Sequence, residues 1–165
     1  MDRLNAPWRI DYIKSEKEEG CVFCNALRAA DDRRMLILHR GRQAFVIMNK
    51  YPYTNGHVMV APYAHLGSIA EITPEVWAEI MSLAQQAVQA IETTSKPHGF
   101  NLGINVGRVA GAGVEGHLHL HIVPRWNGDV NFMTVLADCR VINQHIEETY
   151  AALAEAWPRM PSNTE

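Results

Sequence analysis

Three histidines occupy alternate positions of one apolar run, His117-Leu118-His119-Leu120-His121-Ile122-Val123, followed by Pro124 and Arg125. A β-strand sends successive side chains to opposite faces, so Leu118, Leu120 and Ile122 are expected in a core while all three imidazoles share the other face. On such a face neighbouring imidazoles start roughly 6.5 to 7 Å apart, close enough to act on one small substrate or one metal. Near pH 7 a histidine serves as nucleophile, proton carrier or neutral metal ligand. A strand that only filled a core would have no use for three of them.

The remaining pattern predicts strands at Met35 to His39, Ala44 to Met48, His57 to Ala61 and Phe100 to Val106, with Gly41 turning the first into the second. Thr73-Pro74-Glu75 supplies a helix cap, a first-turn proline and a first-turn acid. Val76, Trp77, Ile80, Leu83, Ala84, Ala87, Val88 and Ile91 then follow at helical spacing, and the helix should end near Ser95, before Pro97. A second helical stripe runs through Val141, Ile142, Ile146, Tyr150, Leu153 and Trp157 to Pro158. About five strands in hairpin-like order, one long central helix and a C-terminal helix predict an α+β domain on an antiparallel sheet. A parallel doubly wound sheet is disfavoured, because most of the strands lack an intervening helix.

The chain has 165 residues, 47% of them hydrophobic, enough for the core of one domain over residues 1–160, with a frayed tail at 161–165. A formal net charge of −3 gives no general attraction to polyanions, so neither nucleic acid nor a membrane surface is an expected partner. No segment approaches the roughly 20 apolar residues of a membrane span, and the expected location is cytoplasmic. Of the three cysteines, Cys21 and Cys24 have the spacing of a metal clip, in a segment of about residues 15–30. Two readings of the pair stand open: half of a closed zinc site, or two reduced buried thiols. The glycines of the loop 107–116, Gly107 and Gly113 among them, would let backbone amides approach phosphate, or would simply serve a mobile connection.

The three histidines separated by hydrophobic residues resemble the motif of the histidine triad superfamily of nucleotidyl hydrolases and transferases. Asn49, Gly56-His57-Val58 ahead of a strand ending at Pro62, and the stretch from Asn105 to Gly107 fit the same pattern. A closer likeness is to the bacterial branch containing diadenosine tetraphosphate phosphorylases. It is carried by Ala6-Pro7-Trp8-Arg9, Tyr51-Pro52-Tyr53, Pro97-His98-Gly99-Phe100-Asn101 and Pro124-Arg125-Trp126-Asn127-Gly128-Asp129. The Gln and the Ser or Thr that many members carry just before the first histidine are replaced here by Ala112 to Gly116.

The resemblance implies that His119 attacks a nucleotide α-phosphate and forms a nucleotidyl-histidine, which phosphate or water then discharges. It implies that His121 acts on the leaving or attacking oxygen, and that a backbone carbonyl fixes the tautomer of His119. Asn105 is expected at the phosphate and Asn49 near the ribose, with His57 beside the triad. Resemblance to zinc-bearing members adds His65 and His117 to Cys21 and Cys24 as ligands of a structural zinc. A homodimer whose sheets join across the subunits is implied too. Three rival readings remain: a catalytic zinc held by His117 and His119, a hydrolase using water on a phosphoramidate or dinucleotide, and a nucleotide-binding adaptor without turnover. Trp77 and Trp157 are expected in the core, while Trp126 stacks on a base or covers an edge.

Overall fold

The computed structural model describes residues 20–129, 142 and 144–158. The Ala6-Pro7-Trp8-Arg9 stretch, residues 15–19 of the expected clip, Cys139, Val141 and the 161–165 tail lie outside the described residues. Five strands form one antiparallel sheet: β1 (Ile37–Arg40), β2 (Ala44–Met48), β3 (Val58–Pro62), β4 (Gly99–Ile104) and β5 (Leu120–Arg125), in spatial order β1-β2-β3-β5-β4. The helices are α1 (Val22–Arg28), α2 (Asp32–Met35), α3 (Pro74–Ser95) and α4 (Ile146–Ala156). None of the described helices is long and apolar enough to cross a membrane.

Helix α3 begins where its sequence says it should. The Thr73 side chain accepts from the Val76 amide, Pro74 fills the first turn, and Lys96 closes the helix in a left-handed conformation at φ 45°. Its face of Ile80, Leu83, Ala84, Ala87 and Ile91 packs on Ala44, Val46, Val58, Val60, Leu120 and Ile122 from the sheet. Burying each of the larger aliphatic side chains contributes about 1.5–3 kcal/mol. Trp77 and Trp157 lie half-buried against this core, as expected of them.

The opposite sheet face is covered as well. Phe45, Ile47, Met59 and Ala61 point there and meet Phe23 and Ala26 of α1, a second core. Burial on both faces explains why β2 and β3 read as continuous apolar runs rather than as alternating patterns. The cysteine segment is therefore a helix with a packing role, which the Cys-x-x-Cys spacing alone did not reveal.

Several element boundaries differ from the sequence expectation, each for a local reason. The first strand starts at Ile37 rather than Met35, because Asp31 caps the short helix α2 and Leu36 ends it at φ 62°. The C-terminal helix starts at Ile146, where Glu147 and Glu148 suit a first turn, and Ile142 lies outside it. The histidine strand is shifted: β5 runs from Leu120 to Arg125, so His117 and His119 precede the ladder. There the Leu118 amide donates to the Leu66 carbonyl at 2.7 Å, a loop-to-loop bond in place of strand pairing.

Pro124 lies inside β5, paired with Phe100, instead of closing the strand. Its carbonyl accepts from the Thr54 hydroxyl at 2.9 Å. In an antiparallel strand a residue's N–H and C=O point to the same side, so the missing N–H falls on the flank where β3 has not yet begun. No ladder bond is lost.

Candidate active site and metal cluster

The histidines stand on two different supports. His121 is held in β5 with Met59 of β3 and Gly103 of β4 as register partners. His117 and His119 sit on the segment tied to Leu66, under α1, where the Phe23 ring lies 5.0 Å from the His117 ring and 4.8 Å from the His119 ring. All three are buried, His119 at 5% exposure and His121 at 8%.

His119 Nδ1 lies 2.8 Å from the carbonyl oxygen of His117. A carbonyl only accepts, so Nδ1 carries the hydrogen and the lone pair is on Nε2. The His119 ring is edge-on to that of His121, with centroids 4.7 Å apart. Burial pushes the His119 pKa down, opposed by the bond to the His117 carbonyl. Burial, reinforced by His119, brings His121 down to about 4.

Behind His121 stands His57, fully buried, its Nε2 at 2.9 Å from His121 Nδ1. On its far side His57 Nδ1 lies 3.2 Å from the Tyr53 backbone nitrogen and 3.3 Å from Asn49 Nδ2. Asn49 Oδ1 in turn accepts from the Tyr51 amide at 2.9 Å. The Tyr53 ring stacks on those of His57 and His121. Asn49, expected near a ribose, thus has its amide directed to the back of His57.

A cleft of about 280 Å³ opens beside His121, lined by Tyr53, Asn101, Gly103, Asn105 and Arg125 among others. Asn105, expected at the phosphate, lines the same cleft as His121. A Cβ on Gly103 would meet nothing within 4 Å, so the cleft floor next to His121 is bare. Arg125 forms the far end, paired with Asp129 and donating to Asn101 Oδ1 at 2.8 Å. A wider hollow of about 580 Å³, lined by Gln89, Glu92 and Thr93, is bordered by none of the histidines or cysteines.

Gly107 and Gly113 are not part of this lining. In their loop the amides of Ala110 and Ala112 donate to the Gly107 carbonyl, and that of Gly111 to the Arg108 carbonyl. Those three donors are spent within the loop rather than offered to an anion. Trp126 is tied down through its ring nitrogen, which donates to the Ser95 carbonyl at 3.3 Å.

Cys21, Cys24, His65 and His117 converge, with one ligand atom from each and all four within 4.8 Å of one another. Cys21 Sγ and Cys24 Sγ lie 3.4 and 3.6 Å from His117 Nδ1, and Cys24 Sγ lies 3.4 Å from His65 Nδ1. With zinc–sulfur and zinc–nitrogen bonds of about 2.3 and 2.0 Å, the S···N edge of a tetrahedron is about 3.5 Å. These spacings and this donor set fit a closed zinc site. His117 Nε2 donates to the Pro62 carbonyl at 2.8 Å, which leaves the Nδ1 lone pair facing the cluster. Gly116 lets His65 approach: a Cβ there would stand 3.0 Å from His65 Nε2. His119 is not a member of the cluster, so a catalytic metal shared by His117 and His119 has no support in this geometry.

The HIT domain family model matches residues 34–128. The chain belongs to the HIT family. Among the family's members, an AP-4-A phosphorylase of Mycobacterium tuberculosis (strain ATCC 25618 / H37Rv) is 36% identical over 170 residues, which cover 98% of this chain and 87% of that protein. Adenylylsulfatase HINT3 of Arabidopsis thaliana is 31% identical over 115 residues, 70% of this chain and 57% of that protein. A Zn-bound histidine triad family protein from Mycobacterium smegmatis has a crystal structure similar to this one, with a TM-score of 0.66 and 29% identity, covering 83% of this chain and 92% of the other.

Three contributors to the site were not singled out in sequence. Phe23 covers the rings of His117 and His119, the Pro62 carbonyl orients His117, and the Tyr53 backbone nitrogen reaches His57. Phe23 stands between the two cysteines, a position that could have drawn attention. A backbone carbonyl or amide carries no sequence signal at all.

Proposed function

We propose that this HIT protein is a nucleotidyl transferase acting on dinucleoside polyphosphates, with His119 as nucleophile and inorganic phosphate as the acceptor. One observation carries the reading: the Nδ1–H of His119 is engaged by the His117 carbonyl, so an unmetallated Nε2 lone pair is available for attack. In the first step Nε2 bonds to the α-phosphorus, the bond to the bridging oxygen breaks, and His121 protonates the departing polyphosphate oxygen. In the second, phosphate displaces the imidazole, its proton returns to His121, and a nucleoside diphosphate leaves. The likeness to an AP-4-A phosphorylase over nearly the whole chain supports this choice of substrate and acceptor.

The test is product analysis with diadenosine tetraphosphate. With phosphate present, the expected products are ADP and ATP, with no turnover in its absence. AMP and ATP formed at the same rate without phosphate would make the protein a hydrolase.

The Cys21, Cys24, His65 and His117 cluster is read as a structural zinc site, because four protein ligands leave no position open for a substrate. When bound, the ion supplies a cross-link between α1 and the segment that carries His119. A homodimer joined along β4 is read from its exposed edge, where Leu102 and nearby Val106 are 45% and 46% exposed. Light scattering is expected to give twice the chain mass, and a monomer would remove this assignment. A cytoplasmic location, with no nucleic acid or membrane as partner, suits the net charge of −3 and a small-nucleotide substrate.

A further inference from the structure

The hydrogen bonds behind His121 have a direction. A backbone N–H can only donate, so the Tyr53 amide obliges His57 Nδ1 to accept. The Asn49 side chain agrees. Its Oδ1 is claimed by the Tyr51 amide, so the group turned toward His57 Nδ1 is the NH₂, a second donor. His57 must then carry its hydrogen on Nε2, and the 2.9 Å contact makes this N–H donate to His121 Nδ1. With Nδ1 accepting, a neutral His121 has its own hydrogen on Nε2.

We propose that His57 and Asn49 are positioning residues that select the tautomer of His121 and so supply it with a transferable proton on Nε2. This rests on the nucleotidyl-transfer reading above for its use, though not for its geometry. The two neighbouring triad histidines then present opposite faces to a phosphoryl group. His119 offers a lone pair, while His121 offers an N–H to the oxygen that departs. Burial, with the nearby His121 and His119, holds the His57 pKa at about 3, so the ring stays neutral and keeps its accepting nitrogen. Asn49 and His57 thus act on the leaving oxygen through His121.

Two measurements test this. Nitrogen-15 spectra of the histidine rings in the free wild-type protein are expected to show a protonated Nε2 and a bare Nδ1 on His121. A His121 protonated on Nδ1 would overturn the proposal without a variant being made. In the second, His57→Ala is expected to lower kcat on diadenosine tetraphosphate about 10- to 100-fold with little change in KM. On an adenylyl p-nitrophenyl ester, whose phenolate leaves without a proton, the same variant is expected to lose less than about threefold. His57→Gln keeps an N–H donor near the Nε2 position and should recover most of the loss. Equal losses on both substrates, or no recovery with glutamine, would reduce His57 to a packing residue. A protein inactive on both substrates but with Nε2–H on His121 would refute the function proposed above and leave the tautomer assignment standing.

Discussion

His119→Ala is expected to lower turnover of diadenosine tetraphosphate by about 10⁴-fold or more while the protein stays folded. Removing a nucleophile abolishes the two-step route, and a loss of this size corresponds to about 5.5 kcal/mol of barrier. The buried ring bonds the carbonyl two residues earlier through Nδ1 and packs beside Phe23 and His121, so its loss should cost the fold about 1–3 kcal/mol, small beside the change in barrier. Rate and fold therefore separate, and circular dichroism and thermal melting should change little beside the loss of kcat. Rapid quench in alkaline denaturant, where a phosphorus–imidazole bond survives, followed by intact-mass analysis should show an adenylyl adduct on the wild type and none on the variant. A variant that keeps a tenth of the wild-type rate would remove covalent transfer from the account.

Removing the metal is expected to have the largest effect on stability. An ion that binds the folded chain and not the unfolded one, at a thousandfold over its dissociation constant, contributes about 4 kcal/mol. For a chain of this size each kcal/mol moves Tm by about 2–4 °C, so chelation should lower Tm by about 8–16 °C. Cys24→Ser is expected to give a similar loss, because Cys24 Sγ lies against both His65 and His117. Metal analysis of the untreated protein should find one zinc per chain. The chemistry should suffer too, since the His117 backbone that orients His119 belongs to a residue of the cluster, and a loss of about 10- to 100-fold is expected. Unchanged melting after chelation, with no metal bound beforehand, would leave the thiols as ordinary packing groups.

Helix α3 was legible to the residue, because Thr73 and Pro74 mark its start and an eight-residue apolar stripe repeats at a single period. Gly41 likewise lies between β1 and β2 as its turn chemistry suggests, with its amide donating to the Ala44 carbonyl. What escaped was structure set by distant partners. The periodic alternation around His119 suggested a strand reaching back to His117, yet the Leu118 amide bonds Leu66, and a strand pattern carries no mark of that choice. Helix α1 spans seven residues, too few to display a period, and it is held against the sheet by Phe23, Ala26 and the half-buried Leu27. In the site, the four clustered ligands were named from a resemblance, because Cys24 and His117 are 93 positions apart and nothing local joins them. The arrangement behind His121 was hidden more deeply. Half of its hydrogen bonds come from main-chain groups, which every residue type possesses alike.

Residue 117 faces two masters at once: its ring belongs to the cysteine cluster, and its own carbonyl grips the neighbouring nucleophile. A substitution there keeps the carbonyl but loses the ring that anchors it to the Pro62 carbonyl and the cysteines. A descendant that discards both thiols has to find another brace for that imidazole or accept a slower reaction. Efforts to retune reactivity by mutation should therefore begin at positions such as Gly103, which border the cleft and touch neither duty.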